Sequence, residues 1–330
     1  MELSLAAIVV LGLVLAAEFV NGWTDAPNAI ATAISTRVLS PSRALLLATA
    51  FNILGAFSGT AVAATIGKGI VRPEIINIYT VGAAMVGIVF WSTLAARYGL
   101  PTSESHALIA GLTGAGLATA GPEVLLWAGW KKVLLGLGFS TFLGFGGGLF
   151  LMAVIYNVFA KYPPAVIRRV FSKLQILSAS FMAFSHGSND GQKFIGAFTL
   201  VLVLSGVLPV FEVPFWVILL CAGTMGVGTA FGGWKIIRTM GLRLTKLEPV
   251  HGFAAETGAA MTIELASHLG IPLSTTHTIS TAIMGVGATR RFSAVRWGVS
   301  RDMVTAWILT FPVCGLVAWA VAKLIMLFRI

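Results

Sequence analysis

The chain has 330 residues, of which 57% are hydrophobic and only 10% are charged. Because a soluble domain carries about 25% charged residues, this composition excludes an ordinary soluble protein and indicates an integral membrane protein. The formal net charge of +10 does not indicate a nucleic-acid partner, since the basic residues lie in short loops between apolar runs.

Apolar runs of about 20 residues, long enough to cross a bilayer core of roughly 30 Å, recur along the chain. Because they are continuous and do not alternate with polar residues, they predict helices and argue against a barrel. The first run, from Leu3, has no basic segment before it and is interpreted as a span, not as a cleaved signal peptide. Ten spans are predicted, at residues 3–36, 44–66, 77–97, 101–119 and 132–158, then 174–201, 214–234, 251–268, 272–289 and 303–328.

Polar motifs interrupt the first and sixth spans and begin the fourth and ninth. Asn21 to Asp25 resembles His186 to Asp190, so that Asp25 corresponds to Asp190. Gly99 to His106 likewise resembles Gly270 to His277, and both contain Pro-x-Ser-x-x-His. A duplicated, helix-breaking polar motif in an apolar chain is typical of secondary transporters. Half-helices or re-entrant hairpins are therefore expected, which raises the count from ten segments to as many as twelve.

The chain divides into two predicted repeats, residues 1–159 and 174–330, joined by a basic cytoplasmic linker at 160–173. With five spans in each repeat, the second copy must have the opposite orientation in the membrane. The distribution of Lys and Arg agrees with this inversion and places both termini outside the cytoplasm. The predicted fold is an all-α polytopic protein of the inner or plasma membrane, with two inverted-topology repeats and broken helices.

Six of the 12 acidic residues fall inside spans or their interruptions: Glu18, Asp25, Glu104, Asp190, Glu256 and Glu264. A carboxylate there costs about 2.5–3.5 kcal/mol and is usually paired, protonated or functional. Helix capping is one interpretation of Asp25 and Asp190. The other is coordination of Na⁺, completed by freed carbonyl groups and asparagine amides, and the same carboxylates could instead carry a proton. The predicted coupling-ion residues are Asp25, Asn28, Asn189, Asp190 and Glu256, with Na⁺ placed at Asp25, Asn28 and Asp190.

The Pro-x-Ser motifs favour an anion. Hydroxyl side chains cap the exposed N–H groups of a helix, and the N-terminus carries about half a positive charge. Two such ends meeting at the bilayer midplane would bind an oxyanion without arginine. The predicted anion ligands are Thr102, Ser103, Ser105, Ser274, Thr275 and Thr276.

Further candidates for the site are Asn21, Glu104, Gln192, Lys193, His106 and His277. Lys193 could instead extend to a membrane interface, and the two histidines could instead bond to neighbouring carbonyl groups. The histidines lack zinc-ligand spacing, and no nucleophile–base arrangement or phosphate-binding loop occurs. The sequence therefore predicts a protein that is not an enzyme and has no cofactor beyond a coupling ion.

These motifs resemble the PiT family of inorganic phosphate transporters, especially its bacterial short form, which is related to the animal sodium–phosphate cotransporters. The resemblance covers nearly the whole chain and includes Asn21–Ala29, His186–Lys193, both Pro-x-Ser-x-x-His motifs and Val250–Glu256. It implies phosphate uptake by symport with Na⁺ or H⁺, an inverted-repeat core in the lipid bilayer and a homodimer. It also implies that Asp25, Asp190 and Glu256 are important for transport.

The sequence departs from the family's pattern at four positions. Thr24 and Lys193 each stand in place of an asparagine, Asn52 in place of a glutamate of the animal members, and Glu104 in place of a serine or threonine. Because Glu104 repels an anion, the second motif is expected to bind more of the phosphate, and the first to lie closer to a cation or proton. Two alternatives stay open: a transporter of another oxyanion such as sulfate, and a cation channel or antiporter built from the carboxylates alone.

Overall fold

The computed structural model describes residues 3–328, whose regular structure is helical apart from one isolated bridge between Val71 and Leu125. The first half contains α1 (Leu5–Ser35), α2 (Pro41–Ala56), α3 (Ala61–Gly69), α4 (Ile78–Tyr98), α5 (Glu104–Ala120), α6 (Trp127–Gly138) and α7 (Gly144–Val158). The second half contains α8 (Pro164–His186), α9 (Gln192–Leu204), α10 (Phe215–Phe231), α11 (Trp234–Arg238), α12 (Pro249–His268), α13 (Thr275–Arg290) and α14 (Trp297–Leu327). The predicted all-α polytopic fold is confirmed.

Within residues 3–328, length and hydropathy identify four helices that can cross a membrane: α1, α4, the continuous α6–α7 and α14. Two bent pairs, α2–α3 at 69° and α10–α11 at 61°, bring the number to six. The other predicted spans coincide with α5, α8–α9, α12 and α13. These helices are shorter or more polar because they carry the motifs, so composition alone does not identify them as spans.

The expected interruptions at the two aspartates are wrong. The helix α1 runs unbroken through Asp25, with Pro27 inside it, and α8 continues into α9 through a π-helical turn at Gly187–Gly191. A π turn inserts one residue and frees backbone groups without ending the helix. The sharp breaks lie instead in the second span of each half, after Ala56 and after Phe231. At the latter, Gly232 has a φ of 64°, in the left-handed region that glycine favours.

Three helix starts also differ from the predicted positions. The helices α5 and α13 begin after Ser103 and Ser274, so Pro101 and Pro272 precede the capping residues and do not lie in the first turn. The helix α8 already begins at Pro164, so the basic residues of the predicted linker belong largely to its first turns.

The helices of the two halves follow the same order: α1 matches α8–α9, α2–α3 matches α10–α11, and α4, α5 and α6–α7 match α12, α13 and α14. Their packing is also matched, with partners exchanged. The helix α5 packs against α14 while α13 packs against α7, and α1 packs against α10 while α2 packs against α8. A two-fold relation between the halves predicts this exchange. Their opposite orientation in the membrane, and the repeat boundaries, stay predictions.

Glycine permits the exchanged contacts at corresponding positions. A Cβ added at Gly114 would lie 2.0 Å from the carbonyl oxygen of Gly315, and one at Gly285 would lie 2.1 Å from that of Phe145. Since real Cβ atoms do not approach an oxygen so closely, any side chain there would push the helices apart. Both main hydrophobic clusters contain helices from both halves, so the halves share their cores.

Candidate functional site

Apart from Glu256 on α12, the residues predicted to bind ions lie where α1, α5, the α8–α9 turn and α13 meet. They are almost fully buried, with exposures of 3% or less, and most belong to one hydrogen-bonded network. In the described conformation the site is therefore closed to both sides.

Two helix N-termini meet at this site. Ser103 Oγ accepts a hydrogen bond from the N–H of His106 at 3.2 Å, and Ser274 Oγ accepts one from His277 at 3.1 Å. The hydroxyl of Ser105 donates to the carbonyl oxygen of Leu273 at 2.7 Å, which joins the start of α5 to the segment before α13. The first N–H groups of each helix have no acceptor within the helix and carry its partial positive charge.

The second hydroxyl motif contacts both aspartates. Asn28 Nδ2 donates to Thr276 Oγ1 at 2.9 Å and to Thr275 Oγ1 at 3.3 Å. Thr276 donates in turn to the two oxygens of Asp25 at 3.3 and 3.4 Å, and Thr275 donates to Asp190 Oδ2 at 3.1 Å. The hydroxyl groups at the start of α13 thus lie between two buried carboxylates from different halves of the chain.

Lys193 is fully buried, so the interpretation in which it extends to a membrane interface is wrong. Its ammonium group contacts the Asp190 carboxylate and the Ser105 hydroxyl, and donates to the carbonyl oxygen of Leu273 at 2.9 Å. It therefore links the second aspartate to the first hydroxyl motif.

His186 lies between the two aspartates, with Nε2 3.5 Å from Asp190 Oδ2 and 3.9 Å from Asp25 Oδ2. A series of hydrogen bonds that ends at His186 Nδ1 shows which ring nitrogen carries the proton. Thr229 donates to the Met225 carbonyl at 2.9 Å, so it accepts the bond from Asn52 Nδ2 at 3.2 Å.

Asn52 Oδ1 then accepts from His186 Nδ1 at 3.1 Å. In the neutral ring the lone pair of Nε2 therefore points toward two carboxylates. The ligand atoms of Asp25, His186 and Asp190 all lie within 4.8 Å of one another, an arrangement that could hold a cation. The sequence marks Asn52 only as a departure from the glutamate of the animal family members and predicts no site role for it, because its contact with His186 arises only when the two helices pack together.

Three asparagine side-chain oxygens are a second indication of a cation-binding site. Asn21 Oδ1, Asn28 Oδ1 and Asn189 Oδ1 are buried, and each lacks a hydrogen-bond partner among residues 3–328. The amide nitrogens of Asn21 and Asn189 bond elsewhere, to Glu18 at 2.9 Å and to Ser267 at 2.9 Å. An oxygen that can only accept is suited to coordinating a hard cation.

Glu256 lies in a separate polar cage. Its carboxylate accepts hydrogen bonds from Thr32 at 2.5 Å, from Gln175 at 3.1 Å and from Ser178. Gln175 in turn accepts from Thr36 at 2.8 Å. Thr36 lines an open cavity of about 840 Å³, together with Arg37, Arg168, Arg169 and other residues. Glu256 is therefore two hydrogen bonds from an open space, and no hydrogen bond in the described structure links it directly to either aspartate.

The remaining candidates surround the network. The Glu104 carboxylate is held within the first half, by Ser92 at 2.7 Å and Thr24 at 3.0 Å. Gln192 accepts from the N–H of Val62 at 3.0 Å and donates to the Ser188 carbonyl at 2.5 Å, so it fixes the backbone near the π turn. Thr102 is buried beside the first cap.

His106 and His277 pack edge to face, with ring centroids 4.8 Å apart, and His277 stacks on Trp307 at 3.8 Å. Their ring nitrogens have no hydrogen-bond partner between residues 3 and 328, so the expected bonds to neighbouring carbonyl groups are wrong. The pair packs as part of an aromatic layer that also includes Phe311.

Comparison with known proteins gives a consistent result. The profile described as "Phosphate transporter family" matches residues 21–318. A protein of Rhizobium meliloti (strain 1021) named "probable low-affinity inorganic phosphate transporter" is 44% identical over 323 residues, covering 96% of this chain and 97% of that protein. A protein of the same name from Bacillus subtilis (strain 168) is 36% identical and covers 98% of this chain and 99% of its own length.

Among solved structures, one titled "The sodium-dependent phosphate transporter" superposes with a TM-score of 0.90 at 26% sequence identity. The match covers 98% of this chain and 100% of the other.

Proposed function

This chain belongs to the phosphate transporter family, and from that premise we propose that it takes up inorganic phosphate by symport with Na⁺. Phosphate binds at the N-termini of α5 and α13, and the coupling cation binds beside Asp25. The observation that carries this proposal is the direct hydrogen bonding of Thr275 and Thr276 to two buried aspartates. A hydroxyl between a helix N-terminus and a carboxylate couples the two ions, because a cation on the carboxylate frees the hydroxyl for an anion.

The second hydroxyl motif is the proposed main phosphate site. Its two threonines stand between the aspartates, whereas Ser105 already contacts Lys193 and Leu273. Glu104, which bonds to Ser92 and Thr24, adds a negative charge to the first motif. A doubly charged phosphate is therefore held mainly by Ser274, Thr275, Thr276 and the N–H groups at the start of α13, with Thr102, Ser103 and Ser105 opposite.

Na⁺ is favoured over H⁺ as the coupling ion at Asp25. The lone pair of His186 Nε2 faces both aspartates, and the buried amide oxygens of Asn21, Asn28 and Asn189, which belong to the same two motifs, have no hydrogen-bond partner among residues 3–328. Acceptors without donors are stabilised by a metal cation, whereas a proton satisfies one of them only. The sodium dependence named for the superposed structure supports the same choice. Glu256, in its own cage near an open cavity, is proposed as a second coupling site.

Alternating access follows from the burial of the whole site. Because the ligands are 3% exposed or less, phosphate reaches them only after the helix bundles move apart on one side or the other. Under the predicted topology, the cavity lined by Arg37, Arg168 and Arg169 opens to the cytoplasm and both termini lie outside.

The test is uptake of radiolabelled phosphate into proteoliposomes, with the Na⁺ and pH gradients imposed independently. We expect uptake driven by an inward Na⁺ gradient at constant pH. Uptake driven only by the pH gradient would show that the coupling ion is H⁺ and not Na⁺, and no uptake under either gradient would refute symport. An excess of sulfate should not compete, since competition would identify a broader oxyanion transporter.

A cation channel is distinguished by Na⁺ flux in the absence of phosphate, which the symport proposal excludes.

We propose that the protein forms a homodimer, which the mass of the protein in detergent tests. Half-exposed to exposed apolar side chains on α6–α7, including Leu134, Phe142 and Phe150, are available to lipid or to a second copy.

A further inference from the structure

The two aspartate centres differ at one corresponding position. Asn28 follows Asp25 at the same spacing at which Lys193 follows Asp190. Both side chains reach across to the hydroxyl motif of the other half: Asn28 to Thr275 and Thr276, Lys193 to Ser105. One copy of the repeat thus places a neutral amide, and the other an ammonium group, at the same point of the network.

Three oxygens of different kinds surround the ammonium group: a carboxylate oxygen of Asp190, the hydroxyl of Ser105 and the carbonyl of Leu273. Carboxylate, hydroxyl and carbonyl oxygens are also the ligands that hard cations take in proteins. Ser105 donates its own proton to Leu273, so its oxygen faces the ammonium as an acceptor. The three oxygens around Lys193 Nζ therefore form the kind of site that binds a hard cation, and the lysine's own ammonium group occupies it.

The three N–H donors of Lys193 match these three acceptors one to one. None is left for phosphate unless one of the contacts breaks. Lys193 consequently acts on Asp190 and on the geometry of the first motif, and not as a direct ligand of the anion.

The charge balance of the two aspartates also indicates that Lys193 takes the place of a cation. Asp25 and Asp190 supply two negative charges in a fully buried region, and Lys193 supplies one positive charge, in contact with Asp190 only. Among the described residues, the group able to carry a positive charge that comes closest to Asp25 is His186, at 3.9 Å. Of the two aspartates, Asp25 is therefore the one without a lysine in contact, and it is available to an exchangeable cation.

We propose that the Lys193 ammonium is a tethered cation that replaces one coupling ion, so that the paired aspartates bind one exchangeable Na⁺ where an asparagine at 193 would allow two. This inference rests on the proposed symport. It makes Lys193 the residue that sets the number of ions carried with each phosphate, and it assigns that number to a difference between the repeats.

Lys193→Asn tests the proposal because it copies the side chain of the other repeat. Binding of ²²Na⁺ to the purified protein at equilibrium should rise by one ion per chain relative to wild type. In proteoliposomes, the charge moved per phosphate, obtained from the reversal potential, should rise by one. An unchanged ion count in a folded Lys193→Asn protein would overturn the inference.

Two further variants serve as controls. Lys193→Met keeps the bulk without an oxygen or a charge, and should bind no additional Na⁺. Lys68→Asn removes an exposed lysine at the end of α3 and should leave both counts at the wild-type value. An extra ion in either variant would also contradict the proposal, since the gain would then not depend on an amide at position 193.

Equilibrium binding separates this inference from the proposed function. If wild-type protein takes up no phosphate but Lys193→Asn still binds one more Na⁺, symport fails and the tethered cation stands. If uptake is normal and the ion count is the same in both proteins, symport stands and the tethered cation fails.

Discussion

Asp25 and Asp190 lie at corresponding places in the two halves, yet their surroundings differ. Asp190 has an ammonium group and a threonine hydroxyl in contact, whereas Asp25 receives only long bonds of 3.3 and 3.4 Å from Thr276. The two aspartates thus have different partners in the residue three positions further along, Asn28 in one copy and Lys193 in the other. In the proposed mechanism Asp190 stays paired with Lys193, whereas Asp25 binds the exchangeable cation.

The largest effect is expected from Asp190→Asn. Removing one partner of a buried ion pair leaves Lys193 without a counter-charge, which costs about 3–5 kcal/mol of folding free energy. Unfolding in detergent should therefore shift strongly, and coupled uptake should be lost. The double variant Asp190→Asn/Lys193→Asn should recover most of the stability. Wild-type stability in the single variant would show that the pair is not structural.

Asp25→Asn should separate transport from stability. The variant replaces one of two weakly bonded carboxylate oxygens and loses no salt bridge to a lysine, so its unfolding free energy should change by about 1 kcal/mol or less. Losing the proposed cation ligand should reduce Na⁺-driven uptake about 100-fold, equivalent to about 3 kcal/mol. A variant as unstable as Asp190→Asn would remove the contrast between the two centres.

Asn52→Leu tests whether His186 is oriented as a ligand. Without the amide oxygen, Nδ1 loses its acceptor and the ring is free to turn away from the aspartates. Since loss of a group that orients a metal ligand typically costs 10–100-fold in affinity, the Na⁺ concentration for half-maximal uptake should rise at least about 10-fold. The phosphate KM at saturating Na⁺ should stay near wild type. Thr229→Val, one bond further away, should give a smaller shift, and equal shifts would argue against this chain of bonds.

Ser274→Ala and Ser103→Ala compare the two hydroxyl motifs. Each removes a helix cap and should cost about 1 kcal/mol of stability, seen in thermal unfolding. The phosphate KM should rise more in Ser274→Ala, because its helix carries the two threonines that contact the aspartates. A larger rise in Ser103→Ala would reverse the assignment of the main phosphate site.

The site residues that could be predicted from the sequence are those in the duplicated motifs. The aspartates and the Pro-x-Ser motifs occur twice at matching positions, and that duplication marked them before any contact was known. Asn52, Gln175 and Ser178 lie outside the duplicated motifs, so no repeat marks them in the sequence. A lone polar residue acquires a function only through the partner that folding brings to it, in these cases His186 and Glu256.

The helix interruptions show a second limit of the sequence. A proline and a run of polar residues around Asp25 suggested a break, but a packed helix tolerates one missing hydrogen bond, and α1 is continuous. The real break in the seventh span was marked by Gly232-Gly233, a short signal easily missed within an apolar run. Packing on neighbouring helices, which the sequence does not display, decides between these outcomes.

The contacts at Gly114 and Gly285 have a consequence for the proposed alternating access, since they join helices that should move together. Because a Cβ added at either glycine would lie about 2 Å from the facing backbone, α5 packs closely on α14 and α13 on α7. Separating either pair would lose a tightly fitted surface. We therefore expect two mobile bodies. One contains α4, α5 and α14, the other contains α12, α13 and α7, and each includes one helix from the other half of the chain. Cross-linking α5 to α14 should then leave uptake intact, whereas cross-linking α5 to α13 should arrest it.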